Sequence, residues 1–281
     1  MKSPLLRRLV PSILEYFVCM VLAGIVLIPL YLSVVGGFKS SGQLAIDPLG
    51  LPNPFLWNQY GDLLLGTVGT FWRSLWNSLF VAGATVFLTL MLCVLAAFAL
   101  ARLPFRGRGL LNTYFMLGLL FPLAVAILPL YLQIRTVGLL DSPWGVVLPQ
   151  VAFAVPMTVL LLRGFFLSIP QDLEDACAID GYGPLGFLFY MVLPLSTPIL
   201  STTAVLALVS SWNNFFLPLL VFNSENLFTL PLGVMSFQGQ HASDWQMILA
   251  YLTLVMVPAV ALFIAAQRYI VAGLTGGALK G

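Results

Sequence analysis

The chain has 281 residues, 60% of them hydrophobic and 8% charged, with a mean hydropathy of +1.01. Soluble domains carry roughly 25% charged residues, so too few polar side chains remain to cover a globule in water, which excludes a soluble enzyme, a nucleic-acid binder and a disordered scaffold. The net charge of +2 says nothing about an acidic ligand, because in such a chain the distribution of basic residues carries the information.

The apolar runs are long enough to cross a bilayer, whose hydrocarbon core of about 30 Å takes ~20 helical residues. Six spans are predicted, Leu14–Val35, Trp76–Leu100, Leu110–Gln133, Gly145–Leu167, Pro198–Phe222 and Met247–Arg268, in an all-α, polytopic membrane protein. The first follows Lys2, Arg7 and Arg8. Its apolar stretch exceeds the ~7–15 residues of a signal-peptide core and no clear cleavage site follows, so an uncleaved helix is expected. Pro122 and Pro129 fall in the third span, Pro149 and Pro156 in the fourth. Bilayer helices tolerate proline where neighbours satisfy the freed backbone groups.

With the N-terminus inside, the cytoplasmic segments hold Lys2, Arg7, Arg8, Arg102, Arg106, Arg108, Arg163, Arg268 and Lys280. The outer segments hold Lys39, Arg73 and Arg135. Nine against three places both termini in the cytoplasm, residues 1–13 among them. A Pro-rich loop from Gly36 to Arg73, a short one around Asp141 and another from Asn223 to Trp245 then lie outside. A basic turn, Arg102 to Arg108, and a longer loop after Arg163 lie inside.

Cys19 and Cys93 lie in apolar runs, Cys177 lies in a polar loop, and His241 is the only histidine. No CxxC pair, HExxH or nucleophile–base spacing is formed, so neither a metal site nor a catalytic residue is expected. Of ten acidic residues only Glu15 falls inside a span, near its cytoplasmic end. Proton relays generally need intramembrane Asp, Glu or His, so the energy for any transport should enter from outside the bilayer.

The cytoplasmic loop 168–194 is the most informative segment. Ser168 and Gln171 have capping-box spacing, Pro170 and Asp172 suit a first turn, and a short helix should run to about Ile179. Gly181 and Gly183 permit a sharp turn. Pro184 can open a second helix that Pro194 should end. Asp172, Glu174, Asp175 and Asp180 crowd the loop with negative charge, which read alone is equally a solvated acidic loop.

This loop resembles the signature of ATP-binding-cassette importer permeases: a Glu-Ala-Ala triplet, a glycine six residues after its first member, and a Leu-Pro pair twelve further on. Asp175-Ala176-Cys177, Gly181 and Leu193-Pro194 stand at those positions, with Asp180 also matching. Departures are Asp175 for glutamate, Cys177 for alanine, Tyr182 for a frequent alanine and Met191 for a frequent isoleucine. Trp212-Asn213-Asn214-Phe215 with Pro218-Leu219 resembles the fifth span of carbohydrate-importer permeases, and Gln267 to Gly281 is similar to their C-terminus. The likeness is to the six-span partner of the maltose-type permease pair.

The resemblance implies one permease domain over residues 1–281, with a core at 72–270, in a prokaryotic cytoplasmic membrane. It implies a second permease subunit, two cytoplasmic ATPase subunits and an extracytoplasmic solute-binding protein as partners, with a carbohydrate as cargo. Glu174, Asp175, Ala176, Cys177, Asp180 and Gly181, with Leu193 and Pro194, would form the coupling loop seated on an ATPase subunit. The chain has no Gly-x-x-x-x-Gly-Lys-Ser/Thr loop, so ATP and Mg²⁺ are expected on the partners, no cofactor on this chain, and no enzymatic activity of its own.

Taken as one helix, the fifth span places Ser196, Thr203, Ser210 and Asn214 within roughly 40° of one another. Together with Trp212 and Asn213 they are candidates for lining a translocation path; interhelical hydrogen bonding explains the stripe equally well. The alternatives are the same fold importing another small polar solute, such as a phosphorylated polyol or a peptide, and a self-sufficient secondary carrier. An intramembrane protease lacks its paired aspartates or zinc motif.

Overall fold

The computed structural model describes residues 4–69, 71–239 and 243–278, and for residues 4–14, 123 and 268–278 the backbone alone. Lys2, His241 and Lys280 lie outside the described residues, as do the side chains of Arg7, Arg8 and Arg268. The described residues are helical, in chain order α1 (Pro4–Gly36), α2 (Ser41–Ile46), α3 (Asn58–Leu65), α4 (Phe71–Arg102), α5 (Arg108–Gly118), α6 (Leu123–Thr136), α7 (Pro143–Ser168), α8 (Gln171–Ile179), α9 (Pro184–Leu195), α10 (Thr197–Trp212), α11 (Phe216–Val221) and α12 (Trp245–Ala278). The described residues between α11 and α12 hold short turns of helix and one isolated antiparallel bridge, Gln238 to Ser243.

Among the described residues four helices are long and apolar enough to cross a membrane: Glu15–Gly36, Phe71–Arg102, Pro143–Ser168 and Trp245–Gln267. The pair α9 and α10, bent by 77° at Ser196, would make a fifth. They coincide with the predicted first, second, fourth and sixth spans. The predicted third span is instead two helices, α5 and α6, parted at residues 119–122. Pro122 supplies no N–H and pushes Phe121 out of the helical region, while Leu119 and Leu120 fall back on hydrogen bonds to residues three earlier, Met116 and Leu117. Pro149 and Pro156, by contrast, stay within the unbroken α7.

The chain divides into two compact units. One comprises residues 1–71 and 234–258. In it, the Pro-rich stretch after α1 is folded rather than loose. Ser40 caps α2 in a capping box with Gln43. The Phe38 ring packs against Phe55, Trp57 and Tyr60, at 5.7, 4.7 and 4.5 Å between centroids. Lys39 is 1% exposed and donates to the carbonyls of Asp47 (2.7 Å) and Pro48 (3.1 Å). A buried ammonium needs such acceptors, so one of the three basic residues that the sequence assigns to the outside has a structural duty.

The second unit comprises residues 72–233 and 259–281. Its apolar cluster is built from Cys93, Ala97, Phe98 and Ala101 of α4, Val159, Leu162 and Phe166 of α7, and Phe187, Leu188 and Val192 of α9. Gly118 lets α5 approach α7 closely, since a Cβ there would stand 2.9 Å from the Pro156 ring. Leu188–Val192 form a wide π-helical turn, in which the Leu193 N–H donates to the carbonyl of Leu188. That wider register precedes Pro194, whose missing N–H would leave a gap in a regular helix. The helix therefore continues through Pro194 and ends one residue later, at Leu195.

Candidate functional site

The loop between α7 and α10 folds as two helices joined by a turn. α8 covers the predicted residues, but its start differs from expectation. Ser168 belongs to the end of α7 and donates its hydroxyl to the Phe165 carbonyl (2.7 Å), so it caps nothing in α8. The N-cap of α8 is Pro170, with no side-chain cap bond. Gln171, freed from a capping box, accepts from Arg102 (3.3 Å).

α8 has an inner and an outer side. Leu173 and Cys177, four residues apart and so on one helix face, pack against the core of α4, α7 and α9. Asp172, Asp175, Ala176, Ala178, Ile179 and Asp180 are exposed, Ile179 at 86%. The eight sequence candidates therefore separate. Asp175, Ala176, Asp180 and Gly181 face outward, Cys177 is buried, and Glu174 is half-buried in an ion pair with Arg102 (3.2 Å). Leu193 is half-buried and Pro194 exposed on α9.

Gly181 turns the chain with φ +84°, and its amide donates to Ala178 (3.1 Å) while Tyr182 donates to Cys177 (2.9 Å), closing the end of α8. Gly183, with φ −78° and ψ 179°, is extended and needs no glycine. Beyond the turn, Tyr182 and Leu185 are exposed at 47% and 63%. With Ile179 they give the loop an apolar surface beside its acids, which charge patterning alone did not single out. Their sequence signal was the apolar residues placed among the carboxylates of a loop.

The fifth-span stripe is divided by the tertiary structure. α10 starts after the 77° bend and ends at Trp212, so the single helix assumed for the stripe does not exist. Ser196 sits at the bend, fully buried, its hydroxyl without a partner. Thr203 is buried and donates to Ile199 (3.0 Å) and Leu200 (3.1 Å) of its own helix. Ser210 and Asn213 are exposed, Trp212 is buried, and Asn214 lies past the helix, its Oδ1 accepting the Leu217 N–H (3.1 Å) at the start of α11.

A different polar seam, unmarked by sequence reasoning, is buried in the same unit. The Gln150 side-chain oxygen on α7 accepts from Thr85 of α4 (3.1 Å) and Ser211 of α10 (2.5 Å). Its Nε2 and the hydroxyl of nearby-in-sequence Thr89 are buried without partners. The signal in the sequence was the spacing of Ser74, Ser78, Thr85 and Thr89, which share one face of α4 within roughly 60°.

In this unit too, Asp141, with φ 52°, receives the N–H groups of Asn223 (2.7 Å) and Ser224 (3.0 Å). Those backbone donors, Ser224 first, hold its carboxyl below the usual range. Among the described residues, no group of three or more His, Cys, Asp or Glu side chains could hold a metal ion.

Long apolar helices and a helix–turn–helix docked on their core describe a polytopic membrane protein. Residues 89–276 match the family described as binding-protein-dependent transport system inner membrane component, and the chain belongs to that family. It is 34% identical over 253 residues to the probable ABC transporter permease protein YurM of Bacillus subtilis, covering 90% of this chain and 83% of that one. It is 40% identical over 207 residues to the sulfoquinovosyl glycerol transport system permease protein SmoH of Agrobacterium fabrum, covering 74% and 73%. The arabinooligosaccharides transport system permease protein AraQ of Halalkalibacterium halodurans is 32% identical over 263 residues, covering 92% and 93%. The fold is that of a solved bacterial ABC transporter chain involved in import of the acidic polysaccharide alginate, with a TM-score of 0.81 at 23% identity, over 96% of this chain and 99% of that one.

Proposed function

We propose that this chain is one of two permease subunits of an ATP-driven carbohydrate importer, with six spans and both termini in the cytoplasm. α8 is the coupling helix: it seats its outer side, Asp175, Ala176 and Ile179, with Asp180, Gly181, Tyr182 and Leu185 beside it, on a cytoplasmic ATPase subunit. The observation that carries this reading is the two-sidedness of α8, anchored inward by Leu173 and Cys177 while Ile179 is 86% exposed. An apolar side chain so exposed beside carboxylates outside any span is what a partner surface would cover.

ATP and Mg²⁺ bind the partners, hydrolysis is theirs, and an extracytoplasmic binding protein delivers the solute. A carbohydrate cargo follows from the relatives, named for arabinooligosaccharides, diacetylchitobiose and a sulfoquinovosyl glycerol. In the path, Ser210 and Asn213 take the roles facing the solute, with Asn214 at their edge. Ser210 of the stripe and Asn213 beside it are exposed polar side chains that a neighbouring subunit or water must satisfy, since lipid cannot. Ser196, Thr203 and Trp212 contribute as packing behind them.

The reading is tested by purifying the chain from a membrane with its co-expressed neighbours, identifying the subunits, and assaying ATP hydrolysis with a panel of oligosaccharides. Co-purification of an ATPase and a second permease, with hydrolysis raised by one sugar and its binding protein, is expected. Ion-driven uptake by the chain alone in liposomes would replace the reading with a secondary carrier.

A further inference from the structure

α4 ends at Arg102, and the side chain of that residue turns into the loop instead of into solvent; it is 6% exposed. One terminal nitrogen, Nη1, donates to the Glu174 carboxylate (3.2 Å) and to the Gln171 side-chain oxygen (3.3 Å), both in the first turns of α8. The other, Nη2, donates to the carbonyls of Phe166 (2.6 Å) and Ile169 where α7 ends. The guanidinium carbon stands 5.8 Å from the centre of the Phe187 ring, in the first turn of α9. One planar group thus meets α7, α8 and α9 from the last residue of α4.

A lone cation at the end of α7 would already satisfy orphan carbonyls and the negative end of the helix dipole. Arg102 does more than that. Leu173 and Cys177 fix α8 along a single line of contact, which leaves it free to roll about that line. Gln171 and Glu174 project away from it, so the guanidinium adds the off-axis hold that sets the roll. The five donors of a guanidinium lie in one rigid fork, and a lysine ammonium on its flexible stem cannot reproduce that geometry.

We infer that Arg102 is the positioning residue that links α8 to α4, so that a displacement imposed on α8 from the cytoplasm is passed to the end of that span. The inference rests on reading α8 as the ATPase-docking helix. The chain contains the two elements and the tie between them; the ATPase supplies only the push.

The test uses the complete complex with its co-expressed ATPase and permease partners, and the probe is MgATP trapped with vanadate. Hydrogen exchange is followed at 171–179 and at 95–102 with and without the probe. In the parent both segments should change protection. In Arg102→Lys the response at 171–179 should persist, while that at 95–102 falls by about five-fold or more. Glu174→Gln, which keeps an acceptor without the charge, should give a smaller fall, and the double variant should match Arg102→Lys, because both remove the same contact. Parent-like responses of both segments in Arg102→Lys, or a proportional loss of both in a complex that assembles with parental stoichiometry, would overturn the tie. A separate control is Asp175→Cys, cross-linked to the ATPase with arginine intact. Its failure would remove the docking reading itself, whereas its success beside an unchanged 95–102 response would remove the role of Arg102 alone.

Discussion

Asp141 and Ser224 meet through both carboxylate oxygens: the Ser224 amide donates to Oδ1 and its hydroxyl to Oδ2, each at 3.0 Å. With the Asn223 amide at 2.7 Å, this ties the turn before α7 to the segment that leaves α11. The tie has a pH dependence of defined sign. The carboxyl is held below its ordinary value by the Ser224 and Asn223 backbone donors. Its stabilising contribution is therefore complete above the ordinary aspartate pKa and disappears as pH falls through the lower, folded value. The protection factors of the Asn223 and Ser224 amides, exchange taken relative to the intrinsic rate at the same pH, should fall as pH drops through that acidic window. In Asp141→Asn, which tolerates the positive φ and keeps an acceptor, protection should be several-fold lower at neutral pH and no longer vary across the window. An unchanged pH profile in the variant would assign the titration elsewhere.

Gln150→Leu separates glue from pathway in the seam of α4, α7 and α10. Thr85 and Ser211 lose their shared acceptor, but each hydroxyl can turn to a carbonyl of its own helix, and the buried, unpartnered Nε2 of Gln150 is removed with it. The cost to folding should be about 1 kcal/mol or less, measured as the midpoint of thermal aggregation in detergent. Uptake reduced in proportion to protein level identifies the seam as packing. Uptake lost at normal level identifies it as part of the path.

Gly181 and Gly183 are two residues apart and should behave oppositely. Neither has another atom within 4 Å of where a Cβ would stand, so crowding plays no part. Gly181→Val places a β-branched residue at φ +84°, at a cost of roughly 1–3 kcal/mol, and should leave membrane level near normal while the co-purified ATPase falls. Gly181→Asn should recover most of it, because asparagine accepts the left-handed region. Gly183→Ala should be silent. A Gly181→Val protein that retains its full complement of ATPase would show that the turn does not aim α8.

Orientation can be tested by thiol labelling after the native cysteines are removed. Ile46→Cys, at an 87% exposed position on α2, should react with an impermeant reagent from outside; Phe105→Cys, in the basic turn after α4, only from inside. The opposite labelling pattern would invert the topology.

Composition and run length by themselves determined that this is an all-helical membrane protein, because a chain with so few charges and such long apolar runs has no other way to satisfy its backbone. Local chemistry determined α8 and the glycine turn at Gly181, since proline, an acidic first turn and a residue able to take positive φ act over a few neighbours. Where a span is broken depends on what surrounds it. Pro122 splits the predicted third span while Pro149 and Pro156 leave α7 whole, a difference no proline announces by itself. The stripe from Ser196 to Asn214 assumed one straight helix, and the bend at Ser196 and the end at Trp212 dissolved it. Glu174 read as a free acid beside Asp175, yet Arg102, seventy-two residues earlier, claims it. Such pairings between distant residues are set by which helix ends the packing brings together. That is decided by the apolar core of α4, α7 and α9, and only the tertiary structure contains it.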